Sequence, residues 1–272
     1  MTLSKNYRAQ VFNEAGYVLF TPNVGDTDKL LQTLPPNPYA ESATQLFPAG
    51  TKLMRGEEVW RYTKNGTVAL NIAAPLQSAA QVHAEQSINI AVGAAAAIGD
   101  TVISLTSSTN LDDSPNNVVN DFAEGYVVVN DAAGEGQLRK IKSNAAFTAD
   151  TAEVLFTLYD PLTIALTTAS KLALVRNPFY KVVASKAVMT GIFAGVPEIP
   201  VTASYWFWSK TGGPAPVIQQ AALTLGTRVV VGTTAAKADP AADVTTEVEI
   251  GYAMIPGDAD TETAIVFLTG DR

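Results

Sequence analysis

The stretch EGYVVVNDAAGEGQLRKIKSN, residues 124–144, sets the fold class of this chain. A β-branched run at residues 127–129 leads into a polar turn, residues 130–136, that contains two glycines. The side chains of residues 138–143 then fall alternately on the two faces of a second strand. This pattern predicts a β-hairpin with a long, glycine-containing loop.

Similar strand patterns recur along most of the chain. The clearest are SYWFWSK at residues 204–210 and TAIVFLTG at residues 263–270. The pair Asn65-Gly66 predicts a tight hairpin turn. No predicted helix exceeds about three turns, and short helices are predicted at residues 26–34 and 75–85. The sequence therefore predicts an all-β protein.

The distribution of these patterns divides the chain into four segments. Residues 1–56 are predicted to form an extended N-terminal arm, because five prolines in this segment argue against a regular sheet. Residues 57–185 are predicted to form a β domain, and residues 186–200 a linker rich in glycine and proline. Residues 201–272 are predicted to form a second, β-barrel-like domain. The fold class is thus two β-barrel or sandwich-like units preceded by an arm.

The aromatic content of the arm suggests that it lies along another surface. Disordered segments are poor in aromatic residues, whereas this segment is rich in them. The strand at residues 204–210 carries aromatic side chains on both faces, which is typical of burial against a core on one face and an interface on the other. The predicted interface residues are Tyr7, Phe12, Tyr17, Phe20, Tyr39 and Phe47 of the arm, with Trp206 and Trp208.

Composition argues against several classes of partner. Of the 272 residues, 16% are charged, against about 25% in a typical soluble domain. The net charge of −8 argues against a nucleic-acid partner, because phosphate binding requires clustered lysine and arginine. No apolar stretch approaches the roughly 18 residues of a membrane span, and residues 1–16 lack the apolar core of a secretion signal. The absence of cysteine excludes disulfides and fits the cytosol.

Residues suited to catalysis are scarce, so the chain is predicted not to be an enzyme. His83 is the single histidine, and no nucleophile motif accompanies it. Gly134 and Gly136 precede a strand rather than the helix that a dinucleotide-binding loop requires, so no cofactor is predicted. Nothing singles out one of the carboxylate pairs that a glycosidase would need. These pairs are Glu57/Glu58, Asp112/Asp113 and Glu247/Glu249.

Two weaker signals leave alternatives open. Asp258, Asp260 and Glu262 are spaced as in loops that bind hard cations, but the glycine and distal glutamate of an EF-hand are missing and a solvated hairpin tip is the favoured interpretation. Trp206 and Trp208 would also suit the stacking of sugars in a carbohydrate-binding module, although burial is the favoured interpretation. No metal site is therefore predicted.

The second half of the chain, residues 126–272, resembles the capsid decoration, or cement, proteins of tailed bacteriophages. The resemblance is carried by the stretch at residues 124–144, followed by LYDPLTIALTTASKLALVRNPF at residues 158–179. It continues with SYWFWSKTGGPAPV, LTLGTRVVV, EIGYAM and AIVFLTG, which are similar to the terminal β-barrel of such proteins. Residues 1–56 match no pattern of this family.

The resemblance implies a function and a set of partners. It implies a non-enzymatic virion protein, made in the host cytoplasm, that binds the exterior of the capsid and stabilises it. The implied partners are the major capsid protein and further copies of the chain in a homotrimer. A tail or fibre protein is the first alternative, and a carbohydrate-binding module or polysaccharide-active enzyme is the second.

Overall fold

A computed structural model confirms the all-β class. The described residues contain no α-helix, and their helical structure is confined to one 3₁₀ turn, Ala84–Ser87. The helix predicted at residues 26–34 lies outside the described residues. For residues 7–12, 21 and 22 the backbone alone is described. The described ranges are 7–12, 16–22, 36–107, 111, 118–147, 153–242, 247–257 and 261–271.

The chain forms two compact units, one of which is inserted into the other. Residues Ala80–Asn177 form the first, which we call the inserted barrel. Met1–Ala79 and Pro178–Arg272 together form the second, which we call the split unit. These units do not coincide with the predicted boundaries at residues 56, 185 and 200. The difference arises because strands from both ends of the chain pair in one sheet, and local sequence patterns do not encode such long-range pairing.

The inserted barrel is a closed barrel of six antiparallel strands. Its strands are β6 (Ile90–Val92), β7 (Val102–Thr106), β8 (Tyr126–Asp131), β9 (Leu138–Asn144), β10 (Glu153–Leu158) and β11 (Lys171–Val175). Around the barrel they follow the order β10-β7-β6-β11-β8-β9. The hairpin predicted at residues 124–144 is confirmed, since the first strand pairs Val128 with Leu138 of the next. Val127, Val129 and Ile141 of the hairpin are buried in the barrel.

Glycine is required at the entrance to this hairpin. A Cβ atom at Gly125 would lie 2.3 Å from the carbonyl oxygen of Val175, which is backbone and cannot move aside. The residue before it, Glu124, accepts a hydrogen bond of 2.5 Å from the hydroxyl of Tyr159 and forms an ion pair of 3.0 Å with Lys140. Burial, followed by the hydrogen bond to Glu124, raises the pKa of the Tyr159 hydroxyl. Close packing against Val175 of β11 and the hydrogen bond from Tyr159, the residue after β10, therefore fix the start of the hairpin within the barrel.

The split unit is built on one long antiparallel sheet with a small side sheet. The first strands of the unit are β1 (Tyr7–Phe12), β2 (Tyr17–Pro22), β3 (Lys52–Arg55), β4 (Glu58–Lys64) and β5 (Leu76–Gln77). The later strands are β12 (Val183–Ala184), β13 (Phe193–Pro197), β14 (Trp206–Ile218), β15 (Arg228–Val231), β16 (Ala238–Pro240), β17 (Glu249–Ile255) and β18 (Thr263–Thr269). The long sheet has the order β1-β2-β3-β4-β14-β18-β17-β15-β16, and β5, β12 and β13 lie off this path.

Three strands of this sheet, β1, β2 and β3, lie within the predicted arm. Strand β2 pairs with β3, placing Leu19 opposite Leu53, and both side chains are buried. Pro22 is the last residue of β2, a position where its missing N–H costs no internal ladder bond. The prolines therefore mark where the strand ends rather than excluding it.

Two further sequence expectations require correction. The predicted linker contains strand β13, which pairs with β14 through Val196 and Pro197. The turn predicted at Asn65-Gly66 does not join two strands of a hairpin, because β4 pairs with β3 and β14 instead. In both cases β14, which lies after the predicted linker and far from β4 in sequence, supplies a pairing that the local pattern does not encode.

We predict that residues 80–177 expressed alone fold cooperatively. The strands of the barrel close on one another, and its buried apolar cluster is drawn wholly from residues 90–174. Circular dichroism should show a β spectrum and a single sigmoidal thermal transition. A fragment without a cooperative transition would show that the barrel depends on the rest of the chain.

Candidate interaction surface

An aromatic cluster fills one face of the split unit's sheet. Strands β4 and β14 pair with Tyr62 opposite Trp208, so alternate residues of both strands share this face. The Tyr62 ring stacks on Trp206 at 5.3 Å and contacts Trp208 at 5.0 Å. Phe207, on the opposite face of β14, is also buried. The predicted burial of this strand on both faces is therefore confirmed.

Residues of the N-terminal segment complete the cluster. The ring of Phe47 lies 5.2 Å from Tyr62 and 5.3 Å from Trp208, and Tyr17 lies 6.0 Å from Trp60. Burial raises the pKa of Tyr62 to about 12, although its hydroxyl accepts a hydrogen bond from the backbone N–H of Leu46, the residue before Phe47. The N-terminal segment is thus part of this core.

The structure separates the predicted interface residues into three groups. Tyr17, Phe47, Trp206 and Trp208 are buried against one another or against Trp60, so they present little area to another molecule. Tyr39 is 48% exposed and Phe20 is partly exposed. The side chains of Tyr7 and Phe12 lie outside the described residues.

A charged network closes one end of the aromatic cluster. The Lys210 ammonium, only 3% exposed, donates to Glu58 at 2.7 Å and to Glu198 at 3.1 Å. Arg55 donates to Glu58 at 2.5 and 2.8 Å, and the Trp60 indole N–H donates to Glu198 at 2.8 Å. Burial alone would raise the pKa of Glu58, but the hydrogen bonds from Lys210 and Arg55 outweigh it and lower the pKa. Each carboxylate is thus neutralised by a cation or held by an indole.

A second network lies on the opposite face of the same strands. Arg61 donates to Asp271 at 2.5 and 2.9 Å, and Lys52 and Thr211 donate to the same carboxylate at 3.3 and 3.2 Å. Burial would raise the pKa of Asp271, but the hydrogen bond and charge of Arg61 outweigh it and lower the pKa. This carboxylate therefore ties the end of the described chain to β3 and β4.

The catalytic candidates do not come together in the described part of the chain. His83 is exposed, and its Nδ1 accepts the N–H of Glu85 to cap the 3₁₀ turn. Glu58 belongs to the charged network, and Glu57 beside it is exposed. Asp112, Asp113, Asp258 and Asp260 lie outside the described residues. Within the residues described, no three histidine, aspartate or glutamate side chains are grouped to hold a metal ion.

The outward face of strands β14, β18 and β17 is apolar. Phe267 pairs with Tyr252 on one side and Pro214 on the other, and these two aromatic side chains are 38% and 40% exposed. The opposite face of the same strands is buried in the core. We call the outward set the apolar face; it comprises Pro214, Pro216, Ile218, Tyr252, Met254, Ile255, Ile265 and Phe267.

A sheet that is apolar on both faces is unusual in a lone chain. A sheet with one face in water normally alternates apolar and polar residues, whereas β18 places Ile265 and Phe267 at its two central outward positions, with a threonine at each end. Exposed apolar patches of this kind mark binding surfaces. Sequence analysis missed the apolar face, although the signal is present in AIVFL, where no polar residue interrupts the strand.

Comparisons with known proteins give no relative on which to base a function. No family model matches the chain, and searches of curated proteins and of solved structures found no match. Among the described residues, no helix has the length and apolar character needed to cross a membrane.

We predict that Trp208→Ala lowers the free energy of unfolding of the split unit by about 3–5 kcal/mol. The substitution leaves a cavity between Tyr62 and Phe47. All three tryptophans of the chain lie in this cluster, so tryptophan fluorescence during urea unfolding follows this unit. The exposed Leu225→Ala should change the free energy by less than about 0.5 kcal/mol. Equal effects of the two substitutions would contradict the burial.

We predict that Asp271 makes stability depend on acid pH. Because its folded-state pKa is lowered, its contribution is complete above its ordinary pKa of 3.8 and disappears as pH falls through the folded value. Asp271→Asn should therefore lower the urea midpoint at about pH 7, and its effect should shrink progressively as the pH falls below 3.8. The exposed Glu57→Gln serves as the control. A difference between wild type and Asp271→Asn that does not change with pH would refute the prediction.

Proposed function

We propose that this chain is a non-enzymatic structural protein of a phage virion, which binds the exterior of the capsid lattice and stabilises it. The apolar face carries the proposal, because it equips the chain for assembly through contact with protein, whether a further copy of the chain or another component of the shell. The resemblance of residues 126–272 to decoration proteins supplies the identity of the lattice, and with it the homotrimeric state.

The charges of the split unit support a role in assembly. Lys210, Glu58 and Glu198 form one internal network, and Arg61 and Asp271 belong to another. These groups hold strands together instead of surrounding a cleft that a substrate would enter. The apolar face gives the unit an exposed, uncharged area on three neighbouring strands, which suits it to contact with another protein.

Binding to an assembled lattice would stabilise the shell by mass action. A ligand that binds the assembled form and not the dissociated subunits shifts the equilibrium toward assembly. Many identical copies add their contributions over the shell, so each contact can be modest. A small closed barrel and a paired sheet suit this role, because little conformational freedom is lost on binding.

The burial of Trp206 and Trp208 disfavours the carbohydrate-binding alternative. Both indoles lie in the aromatic cluster and do not offer a face on which a sugar would stack. Soluble glycans should therefore leave the tryptophan fluorescence unchanged. A saturable change with a defined sugar would favour that alternative instead.

Reconstitution on capsids tests the proposed function. We predict that the purified protein co-sediments with capsids of the encoding phage from which it has been removed, and raises the temperature at which they release DNA. Cryo-electron microscopy of the reconstituted particles should show added density on the outer surface. Bovine serum albumin at equal concentration controls for trapping in the pellet. Density on the tail alone, or no binding, would refute the decoration role.

A further inference from the structure

We infer that the apolar face binds the same face of a second copy of this chain. This inference rests on the proposed function only in taking the chain to be an assembly protein. It assigns the self-association surface to strands β14, β17 and β18, and leaves contact with the capsid to other parts of the surface.

Self-complementarity is the first argument. Where identical copies pack the same face around a symmetry axis, twofold or threefold, the residues beside the axis meet their own counterparts, so each of those groups must tolerate its own kind as a neighbour. A charged group near the axis would meet its own charge and repel it. Phe267 and Ile265, at the centre of the apolar face, carry no charge and no hydrogen-bonding group, so they meet this condition.

The overall charge strengthens this argument. The chain carries a net charge of −8, so two copies repel each other unless they meet where charge is absent. The eight side chains of the apolar face include no acid and no base. Two copies therefore approach there at the lowest electrostatic cost.

The rim of the apolar face carries both signs of charge. Arg228 is paired with Tyr252 across β15 and β17, and its guanidinium lies 3.8 Å from the Glu249 carboxylate. Both side chains keep about a third of their area exposed. An edge that presents one cation beside one anion can exchange partners with an identical edge, which fits the polar rim of a protein interface.

The exposed area is sufficient for a specific contact. The side chains of the apolar face leave on the order of 500 Å² accessible in one chain, so two copies would bury on the order of 1,000 Å² in total. That value lies at the lower limit of specific interfaces. A lipid surface is a poorer occupant, because interfacial membrane binding favours lysine and arginine beside the apolar residues, and here Arg228 is paired with an acid.

Cysteine cross-linking tests the contact directly. The chain has no cysteine, so one introduced thiol reports on one position. Ile265→Cys should form a disulfide-linked dimer under mild oxidation of dilute protein. Val188→Cys, at a 78% exposed position of the same unit outside the apolar face, should remain largely uncross-linked. Equal cross-linking of the two variants would overturn the inference.

Charge substitution tests whether the contact maintains the oligomer. Wild type should be an oligomer by size exclusion with light scattering, and Phe267→Glu should weaken association by at least about 30-fold. Val188→Glu should leave the oligomer intact. Unchanged tryptophan fluorescence and an unchanged urea midpoint would show that Phe267→Glu is folded.

The same variants distinguish this inference from the proposed function. A monomeric Phe267→Glu that still binds capsids supports self-association through the apolar face and leaves the decoration role standing. A wild-type monomer whose capsid binding is abolished by Phe267→Glu would overturn the inference and assign the apolar face to the shell protein. An oligomer that Phe267→Glu does not weaken would overturn the inference regardless of capsid binding.

Discussion

The antiparallel pairing of β4 with β14 is the contact on which the split unit depends. It joins residues 58–64 to residues 206–212, across more than half of the chain, and places the three tryptophans and Tyr62 on one face. Closing so long a loop has an entropic cost that only extensive burial offsets. The stacked rings around Tyr62, together with Leu19 and Leu53 from the neighbouring strands, supply that burial. The pairing of β5 with β12 lets the chain leave this unit and return through adjacent strands, which makes the insertion of a whole barrel tolerable.

The polar residues of the split unit define its register and specificity. Lys210 is buried between two carboxylates, and removal of Lys210 would take from Glu198 the cation that compensates its charge, which is more costly than the pair is stabilising. Asp271 plays the same part on the other face, where Arg61 binds it through two N–H groups in a fork geometry. Because each network joins strands that are distant in sequence, a slip of one residue in β4 would move its charged and aromatic side chains to the wrong faces.

Sequence reasoning succeeded where the determining interactions are local. The hairpin of residues 124–144 follows from alternation and from glycines in its turn, and both are visible in one short window. Reasoning failed for residues 17–22, because the partner of that strand lies at residues 52–55 and prolines between them suggested an arm. It correctly predicted burial of Trp206 and Trp208, but not that Phe47 and Tyr62 of the same chain cover them. The apolar face was missed because a strand that is apolar on both faces has the same local pattern whether its partner is internal or external.

The low charge of the chain has a structural explanation in this arrangement. Several of the charged residues in the split unit are used within it, and three strands present an uncharged outward face. A monomeric protein would gain solubility from polar residues at positions 265 and 267, and β18 would tolerate them because those side chains do not contact the core. Phenylalanine and isoleucine at these positions are therefore better explained by a bound partner than by folding. An acidic chain that presents an uncharged face of this kind favours a partner with the same property, and a second copy of the chain satisfies that condition.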